Sequence, residues 1–469
     1  MHPYHRRDIL KMAVAAGGLS LLGSQPARPA VGADYDVVIV GAGVAGMTAA
    51  QLLSKAGPGL KVLVLEARDR VGGRLLTLRE PEVLPSHGVE VGAQFIHGSQ
   101  APSWELIKRY DIATRPRVPD GEARFRFLDG SQPDWDRLEA LHREAGEALA
   151  SEIGPDVSYR DFLETLVEDP REREMMYTEA LSWSAEPDRI SARAVIKDGA
   201  LWNDWHDQDF QVIGGYSSLA ERMAAEIEGR IQLQSQVTDI FYRPGLAGVR
   251  YNYGGTTTAL TCRQLIITIP IGVLQGGSVQ IQPPVPANTQ RAIDSLEMGQ
   301  AVVVPMIFTE PFWSTDAAPG TWADFADRVS FYFPHPLQAG GNGVLGWFTG
   351  AAAQELSALG PEAGLARVLY WLQEASGQQG IADKLAWYHF KDWVTDPYTL
   401  GSYSITRPGG HGQRQVLTEP VVDTLYFAGE ATAPPPHYQT VHGAYLSGKR
   451  VAQQVAATLK VGSTGPKPG

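Results

Sequence analysis

At 469 residues, 43% hydrophobic and 20% charged, the chain has the composition of a globular protein long enough for two or three cores. Its net charge of −12 argues against a nucleic-acid partner, and its single cysteine, Cys262, excludes an intrachain disulfide. No segment has the roughly eighteen uninterrupted apolar residues of a membrane span, so none is expected in the mature chain.

The N-terminus reads as a targeting segment. His5-Arg6-Arg7-Asp8-Ile9-Leu10-Lys11 precedes a short apolar run, Met12 to Leu22, and cleavage is expected after Ala30 or Ala33. The adjacent arginines resemble a bacterial twin-arginine signal, which implies export of a folded protein to the periplasm or beyond. Residues 1–33 hold four basic residues and one acidic, so the chain after them carries −15. That acidity suits a cationic small molecule, or serves solubility alone.

The next element is the most specific. Val37-Val38-Ile39-Val40 is expected to be a buried parallel strand. Gly41, Gly43 and Gly46 then form G-x-G-x-x-G at the turn into a helix, with Ala45 between the last two. The first glycine allows the tight turn, the second lets a pyrophosphate approach, and the third lets helix and strand pack closely. The helix N-terminus then faces the phosphates. Lys61 to Leu65 is the second strand. It ends on Glu66, placed to accept from ribose hydroxyls. Ala67, Arg68, Gly72, Gly73 and Arg74 follow directly.

Further along come Gly92-Ala93-Gln94-Phe95-Ile96-His97-Gly98 and a helix over 101–110. Residues 116–209 read as a mostly helical insertion, with helices at Asp134–Ser151 and Arg160–Tyr177 and tryptophans at 183, 202 and 205. The chain returns at Val212-Ile213-Gly214-Gly215 to a helix, Leu219–Ile227. A strand follows, Ile231–Ile240, in which Val237 is a candidate adenine contact. A hairpin spans about 240–260, and Leu265–Ile269 is another buried strand. Prolines at 283, 284 and 286 mark a crossing into alternating runs, Ala301–Phe308 and Val329–Phe333, that suggest a sheet. The chain returns once more at Leu425–Ala428, then Gly429-Glu430, then a helix from Val441 to Leu459. Residues 461–469 read as a disordered tail. The reading is α/β, with two domains built from discontinuous segments. No Ser-His-Asp set, paired carboxylates or metal cluster stands out.

From about 34 to 460 these motifs resemble the flavin-containing amine oxidases, in particular their polyamine oxidase-like branch. The markers are the glycine motif, Arg68 through Arg74, the 92–98 segment, Asp392-Trp393, Gly401-Ser402-Tyr403-Ser404, Tyr426 through Thr432, and Val441 through Gly448. The resemblance implies a Rossmann-like FAD-binding domain (34–115, 210–285 and 391–460) interleaved with a mixed α+β substrate-binding domain (116–209 and 286–390). It implies that Arg68, Gly73 and Arg74 close over the pyrophosphate, and that Gly92, Ala93, Gln94 and Phe95 touch FAD. Glu430, after Gly429, reaches the ribityl chain or pyrophosphate. The helix at Val441 faces the flavin O2, Trp393 lines the flavin, and Tyr403 is one wall of an aromatic cage. His97 meets the substrate amine, unless it is a structural histidine bonding a carbonyl.

Three departures from the pattern bear on function. Ser402 stands where covalent members carry cysteine, so FAD is expected to be noncovalent. Thr440 stands where many relatives place a second cage aromatic, a wall left to Trp183, Trp202, Trp205 or Tyr438. Val303 aligns with a lysine that most relatives hold against flavin N5. The implied reaction is hydride transfer from the carbon alpha to an amine nitrogen, with reoxidation by O2. Alternatives are a dehydrogenase passing electrons to a periplasmic acceptor, an L-amino acid oxidase, and a catalytically silent flavoprotein.

Overall fold

The computed structural model describes residues 32–79, 88–117, 124–126, 134–151, 154–312, 320–324, 329–335 and 342–461. The expected targeting segment and C-terminal tail lie outside these ranges, apart from residues 32, 33 and 461.

The chain opens on β1 (Tyr35–Val40), α1 (Val44–Ala56) and β2 (Val62–Leu65). Val37–Val40 and Val62–Leu65 are buried, which explains their unbroken apolar runs. β3 (Phe95–His97) and β4 (Thr114–Pro116) follow. A helical stretch comes next: α2 (Trp135–Ser151), α3 (Tyr159–Leu166), α4 (Pro170–Ser182) and, after a π-helical turn at Ala194–Asp198, α5 (Gly199–Trp205). The single helix expected over Arg160–Tyr177 is therefore two. Pro170 lacks the N–H that continuation requires and instead opens the second helix.

β5 (Asp209–Val212) pairs antiparallel with β3 and β4, setting His97 opposite Asp209. β6 (Ile231–Gln232), β7 (Gln236–Arg243), β8 (Leu246–Tyr253), β9 (Thr256–Ile267) and β10 (Gln280–Gln282) follow. The strand expected over Ile231–Ile240 is broken in the middle. Gln234 turns with φ 53°, and the N–H groups of Gln234 and Ser235 donate to the carbonyls of Arg68 and Glu66. β11 (Ala301–Phe308), β12 (Gly320–Asp324), β13 (Val329–His335) and β14 (Gly343–Thr349) precede the long helix α6 (Gly350–Ser376), kinked at Gly360-Pro361. β15 (Leu385–Tyr388), β16 (Lys391–Asp392), β17 (Leu425–Phe427) and α7 (Val441–Leu459) complete the set.

One sheet has the order β10-β7-β8-β9-β1-β2-β6, with β17 added on β9. β17, β9, β1 and β2 run parallel, and Leu65, Val40, Ile267 and Phe427 fall in one row. The residues just past that row, Glu66, Gly41, Thr268 and Ala428-Gly429, therefore share one rim, the place where open α/β sheets bind ligands. Side chains alternate between two cores. Val37 and Ile39 pack toward α1 and α7, and Val38 and Val40 toward the β7–β9 layer. α1 and α7 pack so closely that a Cβ on Gly448 would lie 2.5 Å from the Ala45 carbonyl oxygen. The other large sheet runs β15-β11-β14-β13-β12 and then Arg124–Arg126, with β16 also on β11. α6 covers it over a core of Val302, Val304, Phe348 and Trp371.

Candidate active site

A cavity of about 870 Å³ runs from the strand-end rim to the helical stretch. Every residue singled out above as cofactor-binding or catalytic lines it except Gly46. Gly46 works from beneath: a Cβ there would fall 2.1 Å from the Gly41 carbonyl oxygen, so only glycine lets α1 approach β1. Gly41 turns at φ 108° under Thr268. Gly43 caps α1 with no side-chain partner, leaving first-turn N–H groups for a ligand. A Cβ on Gly43 would meet open space, and one on Gly73 would sit 3.8 Å from the Gly43 Cα, so the two glycine turns face each other across the cradle.

The acid and the arginines do more for the protein than the motif alone suggests. Glu66 Oε2 accepts from the Ala42 N–H at 2.7 Å and Oε1 from the Arg68 N–H at 2.9 Å. Burial raises its pKa against these bonds. Arg68 donates to Asp396 at 2.5 Å and lies over the Tyr398 ring. Arg74 donates from one nitrogen to Glu430 at 2.9 Å and to the Ser402 carbonyl at 2.8 Å. The guanidiniums thus pin the cradle to the β16–β17 segment. Ala67, Gly92, Ala93, Gln94, Phe95, Val237 and Gly429 complete the wall on this side.

At the other end Trp393 is buried against Val303 and Leu345 and donates to the Val91 carbonyl at 2.7 Å. Tyr403 is fixed through its hydroxyl, which accepts from Ser184 Oγ and donates to the Ser182 carbonyl, both at 2.8 Å. Thr440 caps α7 by accepting from the Gly443 N–H at 2.9 Å, and Val441 opens that helix at the cavity wall. Among the candidates for a second aromatic wall, Trp183, Trp202 and Tyr438 line the cavity. Trp205 does not. It is turned onto His437 and His442, and the latter is held neutral by burial, its pKa pushed down to about 2. Among the described residues no lysine lines the cavity. Val303 pairs across strands with Lys391, whose ammonium lies 4.1 Å from the Trp393 ring centroid and 2.7 Å from Asp396.

His97 is not bonding a carbonyl through its Nδ1, which lies 2.7 Å from Asp209 Oδ1. His206 Nε2 reaches the same oxygen at 2.9 Å. A carboxylate only accepts, so both nitrogens carry protons and Nε2 of His97 is left as an acceptor. Burial works against the Asp209 charge, but the bonds from His206 and His97 hold its carboxyl below the usual range. Arg117 stands 3.5 Å from Asp209 Oδ2. His206, Asp209, Arg115 and Arg117 line the cavity and are not evident in the sequence, because the β3–β5–β4 pairing brings the last three, and the end of α5 brings His206, to the neighbourhood of His97.

Residues 44–456 match the family described as flavin containing amine oxidoreductase, and the chain belongs to that family. It is 30% identical over 92% of its length to Lysine-specific histone demethylase 1 homolog 2 of Arabidopsis thaliana. It is 28% identical over 95% to human Lysine-specific histone demethylase 2. It spans only 59% and 56% of those relatives' lengths. Among solved structures, putrescine oxidase bound to putrescine superposes with TM-score 0.77 at 24% identity, over 90% of this chain and 99% of that one. Cyclohexylamine oxidase from Brevibacterium oxydans gives 0.75 at 21%, over 91% and 100%. Both share this fold.

The cofactor is FAD, and the site fits it. The uncapped glycine turn suits a pyrophosphate, Glu66 suits a ribose, and the N-terminus of α7 suits the electron-rich edge of a flavin. Cys262 lies within β9, away from the cavity, and burial pushes its thiol up to about 12. No thiol is therefore available to tether the flavin.

Proposed function

We propose that the chain oxidises a small amine, converting it to an imine that water hydrolyses to a carbonyl compound plus ammonia or a smaller amine. Bound FAD supplies the two-electron acceptor for the hydride that leaves the carbon alpha to nitrogen. The supporting observation is that one cavity holds the dinucleotide cradle, Trp393, Tyr403 and His97 together. Tyr403, its hydroxyl fixed at Ser182 and Ser184, presents a ring that holds an amine by face contact. The amine must react neutral. At pH 7 an alkylammonium of pKa about 10.4 must give up roughly 4–5 kcal/mol to do so. A water-poor aromatic site lowers that cost, and His97 Nε2, oriented by Asp209 through Nδ1, takes the proton.

The electron acceptor has two readings. O2 yields hydrogen peroxide. A periplasmic redox partner is favoured by Val303 and by the absence of lysine among the described cavity-lining residues. Export is proposed from the Arg6-Arg7 segment alone. The test is product analysis across small alkylamines, polyamines, methylated lysine and amino acids; methylated lysine is included because the curated relatives are named as lysine demethylases. Trapped carbonyl product with equimolar peroxide supports the oxidase. Product that forms rapidly only with an added electron-accepting dye supports the dehydrogenase. Turnover of amino acids alone, through Arg115 or Arg117, overturns both.

A further inference from the structure

His97 Nδ1, His206 Nε2 and an Asp209 oxygen lie within 4.8 Å of one another. Their closest approaches, 2.7 and 2.9 Å to Oδ1, are near the spacing of neighbouring ligands on one ion. Atoms about 2.1 Å from a metal and at right angles to each other are about 3 Å apart. Two distant parts of the chain make the cluster. Strand register sets His97 opposite Asp209, and the end of α5 delivers His206 three residues before it. With His97 and Asp209 112 positions apart, sequence spacing could not show a metal set.

The surroundings also match a built site. Asp209 offers Oδ1 to the cluster, while Oδ2 faces Arg117 at 3.5 Å, an outer partner that favours one-oxygen ligation. Trp202 stacks on His206 at 5.4 Å and 13°, and meets His97 edge-on at 5.3 Å. Both ring planes are thereby fixed. The three side chains are partly buried, at 33%, 27% and 14% exposure, and all line the cavity, so further ligand positions open onto solvent or substrate.

We propose that His97, His206 and Asp209 bind a divalent transition-metal ion at the cavity wall. Two imidazoles and one carboxylate select copper(II), nickel or zinc over magnesium or calcium. A metal takes the nitrogen lone pair, so His97 and His206 must each shift the ring proton now donated to Asp209 to the other ring nitrogen. For His97 the shift puts that proton on Nε2, the atom assigned above to receive the amine proton. The filled site is therefore an inhibited enzyme. This consequence rests on the amine-oxidation reading; the site itself does not.

The test uses full-length, flavin-loaded protein without a histidine tag, titrated with Cu²⁺ and read by electron paramagnetic resonance. The expected result is one tightly bound ion per chain with coupling to two imidazole nitrogens. In His206→Gln and Asp209→Asn the affinity falls by more than the ~10–100-fold that loss of an outer partner costs. Retention of the visible flavin band checks that each variant folds. No binding, no nitrogen coupling, or equal affinity in wild type and both variants overturns the site. Amine bleaching of the flavin, measured with and without Zn²⁺, tests the inhibition separately. Bleaching unchanged by Zn²⁺ overturns the inhibition while the copper spectrum still decides the site, and absence of bleaching without Zn²⁺ counts against the amine reaction alone.

Discussion

Replacing Glu430 with glutamine keeps the side chain's shape and removes its charge. Oε1 accepts from Arg74 at 2.9 Å and the Ser404 N–H at 3.1 Å, and Oε2 from Ser404 Oγ at 2.7 Å and the Gln439 N–H at 3.0 Å. Arg74 and the two N–H groups can only donate, so a glutamine amide nitrogen meets a donor in either orientation. Arg414, 6% exposed, also loses the carboxylate that raises its pKa against burial. Removing one partner of a buried charge pair costs about 3–5 kcal/mol, and that loss is expected at pH 7 in urea unfolding of the flavin-loaded protein. The pH dependence has a definite sign. Burial pushes the Glu430 pKa up, but Arg74, Arg414 and Ser404 hold it below its ordinary 4.5. Its contribution is therefore present above pH 4.5 and lost as acid protonates it, so wild type and Glu430→Gln converge at low pH. A cost under about 1 kcal/mol, the range of a surface ion pair, or a gap that persists in acid would show that Glu430 is not held as a buried, ionised partner of Arg74 and Arg414.

Glu90 has the opposite sign. Burial raises its pKa from 4.5 to about 7, so its ionisation destabilises the fold as pH rises across that window. Glu90→Gln should stabilise the protein by roughly 2–3 kcal/mol at pH 8 and little at pH 4, read as unfolding midpoints at both. Cys262, with no exposed surface, should react with iodoacetamide only after denaturation; labelling of the native protein contradicts its place in β9. His97→Gln should keep the visible flavin band and slow amine-driven bleaching by ~10²–10⁴-fold, and a slowing under ~10-fold argues against proton transfer at Nε2.

The dinucleotide cradle was legible because each glycine's task is local. A tight turn, an open approach and a close helix contact are all set within a few residues, and Gly41, Gly43 and Gly46 perform them. The place of the arginines beside the glycine turn was legible, and their bonding less so. A basic loop beside a phosphate site reads as anion-binding, yet a half-buried guanidinium also requires fixed partners, and Arg68 and Arg74 find Asp396 and Glu430 more than 300 positions along the chain. The division between Trp202, which lines the cavity, and Trp205, which does not, follows from the rotation of α5. That rotation is set by contacts such as Trp205 against Gly98, which no periodicity reports. Asp209 and His206 were hidden for a related reason. Their meeting with His97 depends on the register of β3 and β5, strands of three and four residues carrying little pattern. Lys391 likewise comes opposite Val303 only through the β11–β16 pairing.

Amine oxidation on bound FAD in this cavity is tested by mixing the flavin-loaded protein anaerobically with single amines and following the visible flavin band. At least one small alkylamine, polyamine or methylated lysine should bleach the band, and amino acids should not. A flavin that stays bound and coloured with every amine, or that bleaches only with amino acids, contradicts amine oxidation at this site.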